Sequence, residues 1–212
     1  LTFVDSLVST VRRALSDPLS DVRKAAAKTF DSLHSAVGQK ALDDILPSML
    51  KGLADPDPDV ADWTLDGLKQ IITIKSRVVL PYLVPQLTAP PVNTKALSIL
   101  CQAGEGLTKY LPKILPSILD SLAAVNGTAD ENRVIEDCQL IILAVSEDVG
   151  IRIIIDYLLE ASKSKQIETR KAAASLLSAF CINSPGDYSI YISQLLHGLL
   201  LLFAEQDKDI LI

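Results

Sequence analysis

The sequence predicts an all-α chain of about five and a half antiparallel helix pairs, each stacked on the next. Three observations lead there. Hydrophobic residues make up 49% of the 212 residues while aromatics make up only 5%, so the apolar mass is Leu, Ile, Val and Ala. Leu- and Ala-rich sequence with few aromatics suits helix-on-helix packing better than a sheet. The pattern L-x-D-P-x-x-D-V occupies Leu15 to Val22 and returns at Leu53 to Val60, an offset of 38. Arg23-Lys24-Ala25-Ala26-Ala27 returns at Arg170 to Ala174, an offset of 147. That is four units of about 37 residues, the length of a stacked helical repeat.

Each element has a local reason. A first helix near Phe3 to Leu15 places Phe3, Leu7, Val8, Val11 and Leu15 on one face. Asp17-Pro18 ends it, because proline pushes the preceding residue out of the helical region. A second helix runs near Ser20 to Val37 with Ser20 or Asp21 as N-cap, an inner stripe of Val22, Ala26, Phe30, Leu33 and Val37, and Gly38 as the stop. The next pair spans about Ala41 to Leu53, bent at Pro47, and Asp59 to Ile74. Lys75-Ser76-Arg77 reads as a basic inter-repeat loop. A short, proline-interrupted helix, Val78 to Leu87, then pairs with Asn93 to Ala103 across Pro90-Pro91.

The fourth pair is Leu107 to Val125 and Asp130 to Val145, with Asn126-Gly127 as the turn. The fifth is Val149 to Ser162 and Ile167 to Ile182. After the break at Ser184-Pro185-Gly186, a helix from Tyr188 to Glu205 opens a sixth pair whose partner begins at Asp207. The approximate repeats are 1–38, 39–76, 77–106, 107–147, 148–186 and an incomplete 187–212. The chain starts and stops in mid-pattern, as a piece of something longer would, so apolar surface is expected at both ends, for example at Leu200 and Leu202. Helix pairs stacked this way form an elongated, curved rod.

The period and the turn pattern resemble HEAT repeats. In those repeats a proline kinks the first helix, an Asp closes the turn, and Val-Arg or Val-Lys opens the second helix. Asp17, Asp21, Val22 and Arg23 match; Asp55, Asp59 and Val60 match, with Ala61 in the basic position; Val92-Asn93-Thr94-Lys95 stands in the third. The fold expected is therefore an all-α HEAT-repeat superhelix, a single solenoid over residues 1–212.

Composition and motifs argue against chemistry. Net charge is −6, which does not favour bulk binding to nucleic acid. The longest apolar stretch, Leu195 to Ala204, is broken by His197 and falls short of the roughly 20 residues of a membrane span. Cys101, Cys138 and Cys181 are widely spaced, with no C-x-x-C pair, and read as reduced thiols in helix cores. The two histidines, His34 and His197, fall on distant repeats. No P-loop, nucleophile elbow or H-E-x-x-H is present. Asp43-Asp44 and Glu136-Asp137 read as solvated faces, and Asn126-Gly127-Thr128 as a turn. No enzyme, cofactor or metal is implied.

The candidate partner-binding residues are Arg23, Lys24, Lys95, Arg133, Arg170 and Lys171, which open successive second helices, together with Trp63, Tyr82, Lys75 and Arg77. Two readings of the basic positions stand. One is a ladder of contacts between repeats, with Asp17 and Asp21 as partners. The other is a strip for an acidic protein or for RNA phosphate. Trp63 and Tyr82 have the chemistry of interface anchors, and core packing is the competing reading for Trp63.

Whole words go further than spacing. Leu65-Asp-Gly-Leu-Lys-Gln70, Ile74-Lys-Ser-Arg-Val-Val-Leu-Pro-Tyr-Leu-Val-Pro85, Leu87-Thr-Ala-Pro-Pro-Val-Asn-Thr94, Asp44-Ile-Leu-Pro47 and Ile153-Ile-Ile-Asp-Tyr-Leu-Leu-Glu-Ala161 are similar to the family of large HEAT-repeat translational activators of the general amino acid control pathway. The resemblance implies a cytoplasmic, ribosome-associated scaffold. It implies binding to the RWD domain of the kinase that phosphorylates the alpha subunit of translation initiation factor two, and a position in the carboxy-terminal third of the full protein. It places no binding residue. The alternatives are a ribosome- or RNA-contacting or spacer segment of the same solenoid, and a HEAT adaptor such as a transport receptor or phosphatase scaffold.

Overall fold

Asp17 sets the first turn. Its carboxylate accepts the Leu19 N–H at 2.9 Å, so the backbone enters the next helix from extended Leu19, and Leu19 rather than Ser20 or Asp21 is the N-cap. The helix then runs to Gly38, whose positive φ of 60° and N–H bond to the His34 carbonyl end it as expected. In a computed structural model, which describes residues 3–103 and 106–203, the helices are α1 (Phe3–Ala14), α2 (Ser20–Val37), α3 (Gln39–Gly52), α4 (Pro58–Leu87), α5 (Thr94–Ala103), α6 (Leu111–Val125), α7 (Glu131–Leu143), α8 (Asp148–Ala161), α9 (Ile167–Asn183) and α10 (Ile192–Phe203). Short 3₁₀ turns, Leu107–Tyr110 and Ser189–Tyr191, lead into α6 and α10. Among the described residues there is no strand. The end of the last helix at Glu205 and the partner expected from Asp207 lie outside the described residues.

The described residues fall into two compact units. One holds the residues up to Leu83 with Ala103; the other holds Val84–Gln102 and the residues from Gly106 onward. In the first, α1, α2 and α3 pack on one another, and α4 closes on them. The core is aliphatic, with Leu15, Ile45, Leu46, Leu68, Ile71 and Phe30 essentially sealed from water. Gly67 is needed there. A Cβ at Gly67 would stand 2.0 Å from the Leu15 carbonyl oxygen, so α4 crosses the end of α1 at backbone contact. In the second unit α6, α7, α8 and α9 pack together around Ile118, Ile142, Ile154, Leu176 and Phe180, and α10 lies on α8. A Cβ at Gly198 of α10 would come 2.3 Å from Leu159, so that crossing is close too.

Four expectations are corrected. Lys75-Ser76-Arg77 is no loop: the helical run continues from Pro58 to Leu87, and only Lys75 leaves helical geometry, at φ −136° and ψ 44°. One residue turns the chain where a loop was expected, without glycine or proline. Phe3 does not join the inner face of α1 and is exposed, while Val8 and Val11 are buried. Leu200 is exposed as expected, whereas Leu202 is buried. Asp137 is not on a solvated face: it is buried, and Thr94 Oγ1 donates to its Oδ2 at 2.7 Å. Cys101 and Cys138 are buried, and burial pushes both thiols up to about 12.

Candidate partner-binding surface

The repeated word Arg-Lys-Ala-Ala-Ala performs one local task in both places. From α2, Arg23 Nη1 donates to the carbonyls of Asp17 and Pro18, at 2.6 and 3.0 Å. From α9, Arg170 Nη1 donates to the carbonyls of Ser164 and Lys165, at 3.0 and 3.3 Å. Each guanidinium reaches back over the first turn of its helix and holds the preceding loop by its main chain. The Arg has the fixed fork of donors that this needs.

Arg23 Nε also meets Asp66 Oδ2 of α4 at 2.6 Å, with the Arg23 side chain 9% exposed. Neither expected carboxylate is its partner. Asp17 offers a backbone carbonyl, and Asp21 pairs loosely with Lys24 at 3.6 Å. Arg23 thus stands behind the exposed candidates, because it is buried and three of its five N–H donors already have acceptors. A second link between second helices is Thr94 of α5 to Asp137 of α7, in the other unit. From sequence alone Asp66 has no role, and Asp137 reads only as part of a solvated face. Each follows its partner by 43 residues, a little over one repeat, and that offset is the only signal that could have found them.

The other candidates divide by exposure. Lys75 is mostly buried, its ammonium 2.8 Å from Asp31 and 3.3 Å from Nδ1 of His34, whose ring stacks on Phe30. Arg133 is exposed but engaged, 3.2 Å from Asp130 and 3.7 Å from Asp137. Arg170 and Lys171 are half-buried, and Lys171 lines a cleft of about 380 Å³ with Glu131 and Glu168. Trp63 and Tyr82 are half-buried, an amphipathic setting that leaves part of each ring for a contact. Lys24, Arg77 and Lys95 are exposed. The first unit therefore carries Lys24, Trp63, Arg77 and Tyr82, and the second Lys95, Arg133, Arg170 and Lys171.

Among the described residues no group of three or more His, Cys, Asp and Glu side chains is arranged to hold a metal ion. No helix among them is long and apolar enough to cross a membrane.

Comparison with known proteins agrees with this architecture. Residues 79–212 match the family described as stalled ribosome sensor GCN1-like, HEAT repeats. All 212 residues align at 50% identity with the stalled ribosome sensor GCN1 of Mus musculus and with that of Homo sapiens. The eIF-2-alpha kinase activator GCN1 of Dictyostelium discoideum is 35% identical over 98% of the chain. The chain spans 8% of the length of each of these relatives. With its helix pairs, its repeated turn-holding arginines and a family match over well more than half its length, the chain belongs to the GCN1-like HEAT-repeat family.

Proposed function

We propose that this chain is a non-catalytic segment of a cytoplasmic, ribosome-associated scaffold that binds the RWD domain of the kinase of translation initiation factor two alpha and promotes its activation. Family membership carries the reading: relatives are named as a stalled ribosome sensor and as an eIF-2-alpha kinase activator. A place in the carboxy-terminal third of the full protein is part of the same proposal. The contact residues proposed are Lys24, Trp63, Lys75 and Arg77 on one unit and Lys95, Arg133, Arg170 and Lys171 on the other, with the exposed Lys24, Arg77 and Lys95 foremost.

Protein is favoured over RNA as the partner of these repeats. Net charge is −6, and Arg23, Lys75 and Arg133 among the candidate cations are already paired with Asp66, Asp31, Asp130 and Asp137, which disfavours them as phosphate contacts. Calorimetric titration with the isolated RWD domain at low and moderate salt tests the proposal. Heat that persists at moderate salt, and is reduced by Arg77→Ala or Trp63→Ala, supports it. No heat from a chain shown folded by circular dichroism sinks it for these repeats. Binding to ribosomal RNA that collapses with salt would make this a ribosome-facing segment instead.

A further inference from the structure

The turn end of the second unit opens into a cleft of about 640 Å³, within the range of sites that take a ligand or several peptide side chains. Its floor is already satisfied. Thr94 Oγ1 is committed to Asp137, and Ser117 Oγ donates to the Thr88 carbonyl at 3.1 Å. One wall is the exposed, apolar Pro90-Pro91 step. The cleft is lined also by Asp120 and Ala124 of α6 and by Asp130 and Arg133.

The charge of the cleft has a definite sign. The Arg133 guanidinium is shared between Asp130 and Asp137, so that group carries no spare positive charge. Asp120 is exposed, and its carboxylate makes no hydrogen bond or ion pair with the described residues. Its field is felt nearby: the Tyr157 phenol is held above its ordinary range by burial and then by Asp120. A surplus carboxylate beside a proline wall repels phosphate and attracts a cationic side chain flanked by apolar ones.

We propose that this cleft docks an extended protein segment, which lays apolar side chains on Pro90 and Pro91 and places a Lys or Arg against Asp120. The proposal stands apart from the kinase reading, since it names the chemistry of the bound segment and no particular partner.

The test is a titration of the isotope-labelled chain, followed by amide chemical shifts, with two pools of short capped peptides. Both pools carry mixed apolar residues around a fixed centre, Arg in one and Glu in the other. The Arg pool is expected to move the amides of residues 88–94, 117–124 and 130–134, and the Glu pool to leave them still. Asp120→Asn, an exposed change that keeps the fold, should weaken the Arg pool by about tenfold, the loss of one charge-assisted contact. Ala124→Arg should block the cleft. Shifts that are equal for both pools, indifferent to Asp120→Asn, centred elsewhere, or absent would overturn the proposal, as would stronger binding of an oligouridine in the same cleft.

Discussion

Arg23 and Asp66 lie 43 positions apart in sequence and 2.6 Å apart in space, Nε to Oδ2, across the second helices of the first two repeats. The Arg23 side chain is almost wholly desolvated, whereas Asp66 is 31% exposed. Removing the carboxylate would strand a buried cation. Asp66→Ala is therefore expected to cost about 2 kcal/mol, below the range for a fully sealed pair because water reaches Asp66. Replacing Arg23 and Asp66 together by Leu should recover most of that loss. Urea unfolding of the two variants measures both.

Gly67 faces the Leu15 carbonyl with no space for a methyl group. Gly67→Ala would gain helix propensity elsewhere, but here the ideal Cβ sits 2.0 Å from the Leu15 oxygen and 3.0 Å from Met49 Cε, so α4 must move away from α1. The expected net effect is a loss of about 2 kcal/mol, typical of overpacking against backbone. The control is Gly127→Ala, where no atom lies within 4 Å and only the positive φ of 75° opposes the change. It should cost about 1 kcal/mol. Thermal melts rank the two.

Phe180 is sealed in the core of the second unit beside Tyr188, ring centroids 5.7 Å apart. Phe180→Ala should cost about 4 kcal/mol, through lost burial and the cavity left behind. If the two compact units unfold separately, the loss should appear only in the transition of the second. Two spectroscopic probes, Trp63 fluorescence for the first unit and helical ellipticity for the whole, distinguish that outcome from a single cooperative melt.

The buried thiols give a pH dependence of known sign. Burial raises Cys101, and burial followed by the charge of Asp137 raises Cys138, each from 9.0 to about 12. Between those values the native state keeps its proton and the unfolded state loses it, so stability is full below pH 9 and falls as pH rises toward 12. The slope should be about 1 kcal/mol per pH unit for each thiol. Unfolding measured from pH 8.5 to 10.5, in the parent and in Cys138→Ala, should show a shallower slope in the variant. A thiol reagent at pH 8 should reach Cys101 and Cys138 only in denaturant, and the half-exposed Cys181 first.

Where a residue's conformation is decided by its near neighbours, the sequence was readable. Gly38, Asp17-Pro18 and the alanine run after Arg23 define α2 to the residue, because each acts within a turn of helix. The change of direction at Lys75 was not readable. It uses a single non-helical residue with no glycine or proline, and side chains 41 and 44 positions upstream, His34 and Asp31, hold it. Asp137 reads as an ordinary surface carboxylate beside Glu136 until Thr94 is brought to it. Arg23 was legible as a repeated position but not as a buried one, since nothing local shows a guanidinium folding back onto its own turn.

That fold-back has a consequence for how such a chain can change over time. The Nη1 acceptors of Arg23 and Arg170 are main-chain carbonyls, in turns as different as Asp17-Pro18 and Ser164-Lys165. Every amino acid supplies a carbonyl, so the arginine fastens the turn without reading its side chains. Apart from the Asp17 and Ser164 side chains, which accept from the Leu19 and Gln166 N–H groups, the loop lettering is thereby freed from part of the duty of holding the fold. Successive repeats can display different surfaces from the same clasp, and a long array can acquire a new partner at one turn while its neighbours stay as they were.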